Sequence, residues 1–174
     1  MRKLANIFEF YKSTLTINVK SKTSDLLNEI SYLSQDNFIP NSFSIKKTIQ
    51  LAIAKDKLQD FYADDMIQSM LEKKIKHLSG GELRYLEIKL ILNNASKFAL
   101  LDEPYNGLSP IMIEKINELI TAMSSTKGII ITDHNYENVI KVSTKLAFMK
   151  EGKMHHLKDK SELVEKGYLK PGMI

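Results

Sequence analysis

The residues able to do chemistry concentrate between Gln35 and His134. In Leu78-Ser79-Gly80-Gly81-Glu82, two glycines stand directly before Leu83, Leu86 and Leu90, which recur at the spacing of one helix face, so a glycine loop opening a helix is expected. Such a loop lets backbone N–H groups approach a phosphate, aims the positive end of the helix dipole at the same anion, and leaves the Ser79 hydroxyl as a further donor. A glycine turn that only caps a helix is the plainer alternative. The apolar run Phe98-Ala99-Leu100-Leu101 ends in Asp102-Glu103-Pro104. A carboxylate at a strand end can hold Mg²⁺ through water, and a neighbouring acid can orient or deprotonate an attacking water. Adjacent acids also simply mark strand ends. A second apolar run, Gly128 to Thr132, ends in Asp133-His134, and Gln35 lies in the polar stretch Ser34-Gln35-Asp36-Asn37. Alone, a histidine at a strand end or a glutamine in a loop is more often structural than catalytic.

Several elements must position these groups. Ile30 to Leu33 reads as a short strand before Pro40 interrupts the pattern, and Thr14 to Val19 as another in which Leu15, Ile17 and Val19 alternate with polar residues. Residues 44–77 carry apolar positions at helical spacing, which predicts a helical subdomain over about 41–77. Ile111 to Met123 has helical periodicity and separates the two apolar runs. Uninterrupted apolar strands joined by a helix fit a parallel sheet buried on both faces, and ligands of such sheets bind at the carboxyl ends of the strands, where Asp102, Glu103 and His134 fall. Lys145 to Met149 and Met154 to Leu157 flank Glu151-Gly152 as a hairpin, with the adjacent His155 and His156 expected in solvent; the tail from Lys158 onward is expected to be helical.

The 174 residues fit one domain, and a hydrophobic content of 43% suffices for a packed core. A net charge of +4 with acids and bases interspersed argues for a solvated surface rather than a nucleic-acid partner. There is no cysteine, which excludes disulfides and thiolate metal sites and suits a reducing compartment. No apolar stretch approaches the roughly 20 residues needed to cross a bilayer.

Taken together, these motifs resemble those of ABC-type ATPase domains. Leu78-Ser79-Gly80-Gly81-Glu82 is similar to the family's signature loop, the Phe98 to Pro104 segment to its Walker B strand and adjoining acid, Gln35 to its Q-loop glutamine and His134 to its switch histidine, all in family order. The resemblance implies a P-loop NTPase-like α/β fold with an inserted helical subdomain. It implies ATP and Mg²⁺ as ligands: Asp102 and Gln35 toward the metal, Glu103 and His134 as catalytic groups, and Gln35 with Leu78, Ser79, Gly80, Gly81 and Glu82 around ATP. The signature loop closes over the γ-phosphate held by a second ABC ATPase domain, and the Q-loop senses a membrane-spanning transporter subunit. The implied place is cytoplasmic, at the inner face of the membrane. Asn106-Gly107-Leu108-Ser109-Pro110 stands at the D-loop, with Ser109 where the family usually has aspartate.

The sequence also departs from the family. A GxxxxGK[ST] loop, whose backbone cradles the phosphates, does not occur: all seven glycines lie at position 80 or later, and Lys12-Ser13-Thr14 only imitates the loop's end. The chain is therefore expected to be a single partial ABC ATPase domain over 1–174, starting just past that loop, with Met1 to Tyr11 as the rest of its helix. Its sheet would lack a central strand, leaving ladder groups unpaired and apolar side chains uncovered. An ATP-hydrolysing transporter subunit is the leading expectation. A non-hydrolysing half that lends its signature loop to a partner's site is the alternative, and a non-transporter ABC ATPase the third.

Overall fold

The computed structural model describes residues 29–150, 152–167 and 169–170. The expected strand at Thr14 to Val19, the helix over Met1 to Tyr11 and the Lys12-Ser13-Thr14 segment lie outside them. Three parallel strands, β1 (Ile30–Leu33), β2 (Phe98–Asp102) and β3 (Gly128–Thr132), form a sheet in that order. Between β1 and β2 run α1 (Ile45–Ala52), α2 (Leu58–Tyr62), α3 (Asp65–Met70) and the long α4 (Gly80–Asn93). Helix α5 (Pro110–Met123) joins β2 to β3, and α6 (Tyr136–Val142) follows β3. A hairpin of β4 (Leu146–Lys150) and β5 (Lys153–Leu157) turns through Gly152 at φ 74°, a left-handed conformation that glycine adopts without steric cost. Among the described residues the tail is helical over α7 (Glu162–Glu165) alone.

The larger of two hydrophobic clusters holds the three-stranded sheet and α1–α5 together, and the smaller, of Phe148, Leu163 and Leu169, joins the hairpin to α7. Leu33, Ala99 and Leu101 from the strands bury with Ile45, Ile49, Ile67, Leu86, Ile88, Leu92, Ile116 and Ile120 from the helices, and Ile129 and Ile131 pack against them. Because side chains alternate along a strand, Tyr32, Leu100, Asp102, Ile130 and Thr132 share the sheet's other face. The isoleucines of β3 are only half-buried, which corrects the expectation of full cover on both faces. Among the described residues β3 is an edge strand with one neighbour, so its cover on that side is incomplete.

Helix α4 departs most from its sequence pattern. Leu83, Leu86 and Leu90 are buried as their spacing predicts, but so are Arg84, Tyr85, Glu87 and Lys89. The helix runs through the middle of the fold rather than along its surface. Buried polar groups are tolerated only when partnered. Lys89 Nζ and Tyr85 Oη both donate to Asp64 Oδ2, at 2.7 and 2.6 Å, while Asp64 Oδ1 caps α3 by accepting the Ile67 N–H. At the far end of α4, Lys127 Nζ donates to the Ile91 and Asn94 carbonyls, placing a cation where the helix dipole is negative.

His155 also differs from expectation. Its ring stacks on Phe148 at 4.9 Å between centroids and is half-buried, because its place on β5 directs it toward the neighbouring strand; His156 alone is exposed.

Candidate functional site

The parallel register brings the ends of the three strands level. Leu33 lies beside Leu101, and Asp102 beside Thr132, so Gln35, the Asp102–Glu103 turn and His134 all emerge at one end of the sheet. Gln35 is exposed immediately beyond β1. Asp102 accepts two hydroxyl hydrogen bonds from its own sheet face: Tyr32 Oη donates to Oδ2 at 3.0 Å and Thr132 Oγ1 to Oδ1 at 2.8 Å. Burial, with the bond to Asp102 adding to it, pushes the Tyr32 phenol up to about 12, so it stays a donor at neutral pH. Each carboxylate oxygen keeps a second lone pair for a water. No cluster of three or more acidic, histidine or cysteine side chains is assembled among the described residues. This donor set fits a hydrated Mg²⁺ that also carries phosphate ligands, the usual mode for that ion, and does not fit a metal caged by protein alone.

Glu103 is the single non-glycine residue with positive φ among those described, at 48°. Its N–H donates to the Thr132 carbonyl at 2.7 Å and its side chain reaches His134, with Oε1 3.0 Å from Nε2. The carboxylate is largely enclosed, at 18% exposed, whereas the imidazole is open at 89%. A left-handed non-glycine residue costs about 1–2 kcal/mol, and such outliers cluster at functional sites. Glu103→Gly is therefore expected to raise stability by about 0.5–1 kcal/mol, because relief of strain exceeds glycine's added unfolded-state entropy. Thermal unfolding should show Tm about 1–3 °C higher; a lower Tm would mean that the side chain's contacts outweigh its backbone strain.

The signature-like loop opens α4 as its glycines predict. Ser79 is the N-cap: its Oγ accepts the Glu82 N–H at 3.2 Å while Glu82 Oε2 accepts the Ser79 N–H at 2.7 Å, a reciprocal capping box. Glu82 also takes Lys73 Nζ at 2.8 Å, and these contacts, the lysine first, hold its carboxyl below the usual range. Glu82 is thus committed to shaping the loop. Leu78 is half-buried against the core and anchors the loop's entry. Among the described residues the N–H groups of Gly80 and Gly81 have no acceptor. The two glycines differ in surroundings. A Cβ on Gly80 would meet nothing within 4 Å, whereas one on Gly81 would lie 3.3 Å from Met112 Cγ, beneath the start of α5.

Ser109, in the place of the family's aspartate, is the N-cap of α5, accepting the Met112 N–H at 3.4 Å with Pro110 in the first turn. Serine and aspartate are comparable caps, so the exchange preserves the helix start.

Sequence reasoning missed the groups that bind these segments together. Asp133 accepts the Tyr105 and Asn135 N–H groups, and Arg84 reaches the Ser34, Asp102 and Glu103 carbonyls. Their only sequence signal was position: an acid at a strand end, and a charge among the leucines of α4.

Residues 4–106 match the sequence model of the ABC transporter family. The chain belongs to that family. ABC transporter A family member 11 of Dictyostelium discoideum is 30% identical, with 80% of this chain and 19% of that protein covered. The phosphate import ATP-binding protein PstB of Thermotoga maritima is 32% identical, with 74% of this chain and 52% of PstB covered. The chain thus spans about half the length of that bacterial ABC protein. The solved structure of an ATP binding subunit of an ABC transporter superposes with a TM-score of 0.66 at 14% identity, over 80% of this chain and 62% of that one. The fold is that of ABC ATPase domains, and the three parallel strands belong to a P-loop NTPase-type sheet.

Proposed function

We propose that this ABC-family chain is part of a transporter's ATP-binding subunit, binding ATP with Mg²⁺ and hydrolysing it together with a second ABC ATPase domain to drive a membrane-spanning partner from the cytoplasmic face. The observation that carries this reading is Glu103: a strained, enclosed carboxylate beside Asp102, facing His134 at the carboxyl end of a parallel sheet. Glu103 is suited to take a proton from the attacking water, and His134, in solvent across from it, to meet the terminal phosphate. Asp102, oriented by Tyr32 and Thr132, and Gln35 are the residues that would hold Mg²⁺, which would neutralise charge on the phosphates. Leu78 to Glu82 presents the unpartnered Gly80 and Gly81 N–H groups to a phosphate held opposite. No helix of the described residues is long and apolar enough to cross a membrane.

A fluorescent ATP analogue titrated with Mg²⁺ into the purified protein, alone and with an intact ABC ATPase domain, tests the proposal. Saturable binding and phosphate release are expected. Their absence in both arms would overturn it. The unpartnered Gly80 and Gly81 N–H groups at the start of α4 favour a second reading, in which the chain only lends Ser79-Gly80-Gly81 to a partner's site. Hydrolysis would then appear only in the mixture and disappear with Ser79→Arg.

A further inference from the structure

We propose that Arg84 is a positioning residue which, with Glu87 one turn along α4, fastens the Gln35 loop and the Asp102–Glu103 turn to a single helix, so that the two catalytic segments move as one. Arg84 is 5% exposed and its guanidinium spans three carbonyls: Nη1 donates to Ser34 at 2.7 Å, and Nη2 to Asp102 at 2.8 Å and Glu103 at 3.0 Å. Ser34 is the residue before Gln35, so one side chain grips the start of that loop and the carbonyls on both sides of the Glu103 peptide nitrogen's turn. Glu87, fully buried, lies 3.7 Å from Arg84 and accepts the Phe38 N–H at 2.8 Å, gripping the loop's other end. Residues 35–37 are therefore held at both ends by side chains of one helix.

The geometry explains why these groups are buried at all. Arginine's planar fork can hold several carbonyls at fixed angles, which a lysine's single ammonium cannot do. The Glu103 carbonyl held by Arg84 and the Glu103 N–H held by Thr132 constrain its peptide groups on both sides, and together they keep the backbone at φ 48°. Loss of the Arg84 grip on Ser34 and loss of its grip on Glu103 are the same event. A displacement of the Gln35 loop is thus transmitted to the carboxylate turn through a contiguous set of hydrogen bonds. That this matters for hydrolysis rests on the function proposed above; the mechanical link does not.

The test is amide hydrogen exchange followed by NMR, without nucleotide, on the unaltered chain and on Arg84→Met and Arg84→Lys. The Glu103 and Phe38 amides report the two grips, and the Ile49 and Ile120 amides, inside α1 and α5 and buried in the core, report global stability. In Arg84→Met, Glu103 and Phe38 should exchange at least about tenfold faster relative to Ile49 and Ile120. In Arg84→Lys the ammonium keeps Glu87 paired, so Tm and the Phe38 amide should recover while Glu103 stays fast. Exchange that rises equally at all four amides, or a lysine variant that restores Glu103, would overturn the proposal by reducing Arg84 to a stabilising charge. Failure to bind the ATP analogue both alone and with an intact ABC ATPase domain, with the exchange pattern as expected, would remove the proposed function and leave the link standing.

Discussion

Glu103→Gln is expected to lower ATP hydrolysis by about 10²–10⁴-fold while leaving nucleotide binding and folding nearly unchanged. Glutamine has the shape of glutamate and can occupy the same enclosed place, but it cannot accept a proton from water. The backbone at φ 48° is set by the Thr132 and Arg84 bonds and not by the side chain's charge, so strain is the same in both proteins. The contact that is altered has an imidazole 89% exposed as its other member, and such exposed contacts contribute less than about 1 kcal/mol even between full charges. Steady-state phosphate release and ATP-analogue titration, run on the same preparations, separate the two effects. A variant that keeps a rate within tenfold of the original would assign the proton transfer to another group, and one that loses binding in parallel would make Glu103 a binding residue.

The largest loss of stability is expected from Asp64→Ala, at about 3–5 kcal/mol. The substitution removes the N-cap of α3, which is typically worth about 1 kcal/mol, and strands two buried donors on α4. Lys89 and Tyr85 are 7% and 5% exposed and both donate to the same Asp64 oxygen, so neither can turn to water without disturbing the core. A loss of that size is a large part of the 5–15 kcal/mol by which domains are ordinarily stable. Asp64→Asn keeps one oxygen, enough for either the cap or the Tyr85 bond but not both, and should cost less than Asp64→Ala. The pair also carries a pH dependence. Burial by itself raises the Asp64 carboxyl, but the hydrogen bonds from Lys89, Tyr85 and the Ile67 amide prevail and lower it below its ordinary 3.8. A depressed folded-state value means the contribution is complete above about pH 4 and is lost as pH falls through the lower value. Urea unfolding of the unaltered chain should therefore weaken below that pH, and Asp64→Asn should flatten this part of the profile. An unchanged profile would show that the acid sensitivity lies elsewhere.

Much of the scaffold was legible because its signals are local. The strands Ile30–Leu33 and Gly128–Thr132 have the bounds that their apolar runs mark, α4 begins at the glycines after Ser79, and the hairpin turns at Gly152. Each depends on neighbours in sequence: alternation, a cap, a residue that accepts positive φ. The positions of Gln35, Asp102, Glu103 and His134 at one sheet end also followed, since parallel strands in a βαβ arrangement must align their carboxyl ends. The fastening of that site was not legible. Arg84 meets Ser34 fifty positions away in sequence, and Lys89 meets Asp64 twenty-five away. A pattern that counts only apolar positions treats both as a solvated face of an amphipathic helix. His155, half-buried on Phe148, escaped for a similar reason, since its cross-strand neighbour is set by the hairpin's register.

The sequence by itself determined which acids, glycines and histidine stand at the strand and helix ends of this ABC-family chain, and their order, because glycine, capping and hydrophobic periodicity act over a few residues. Only the tertiary structure decided that α4 is buried on every side, that its charges hold the Gln35 loop and the carboxylate turn, and that Glu103 is kept at φ 48°. Those outcomes depend on distant groups meeting in a low-dielectric interior, where an unpaired charge is too costly to persist and each buried partner must therefore be found across the fold.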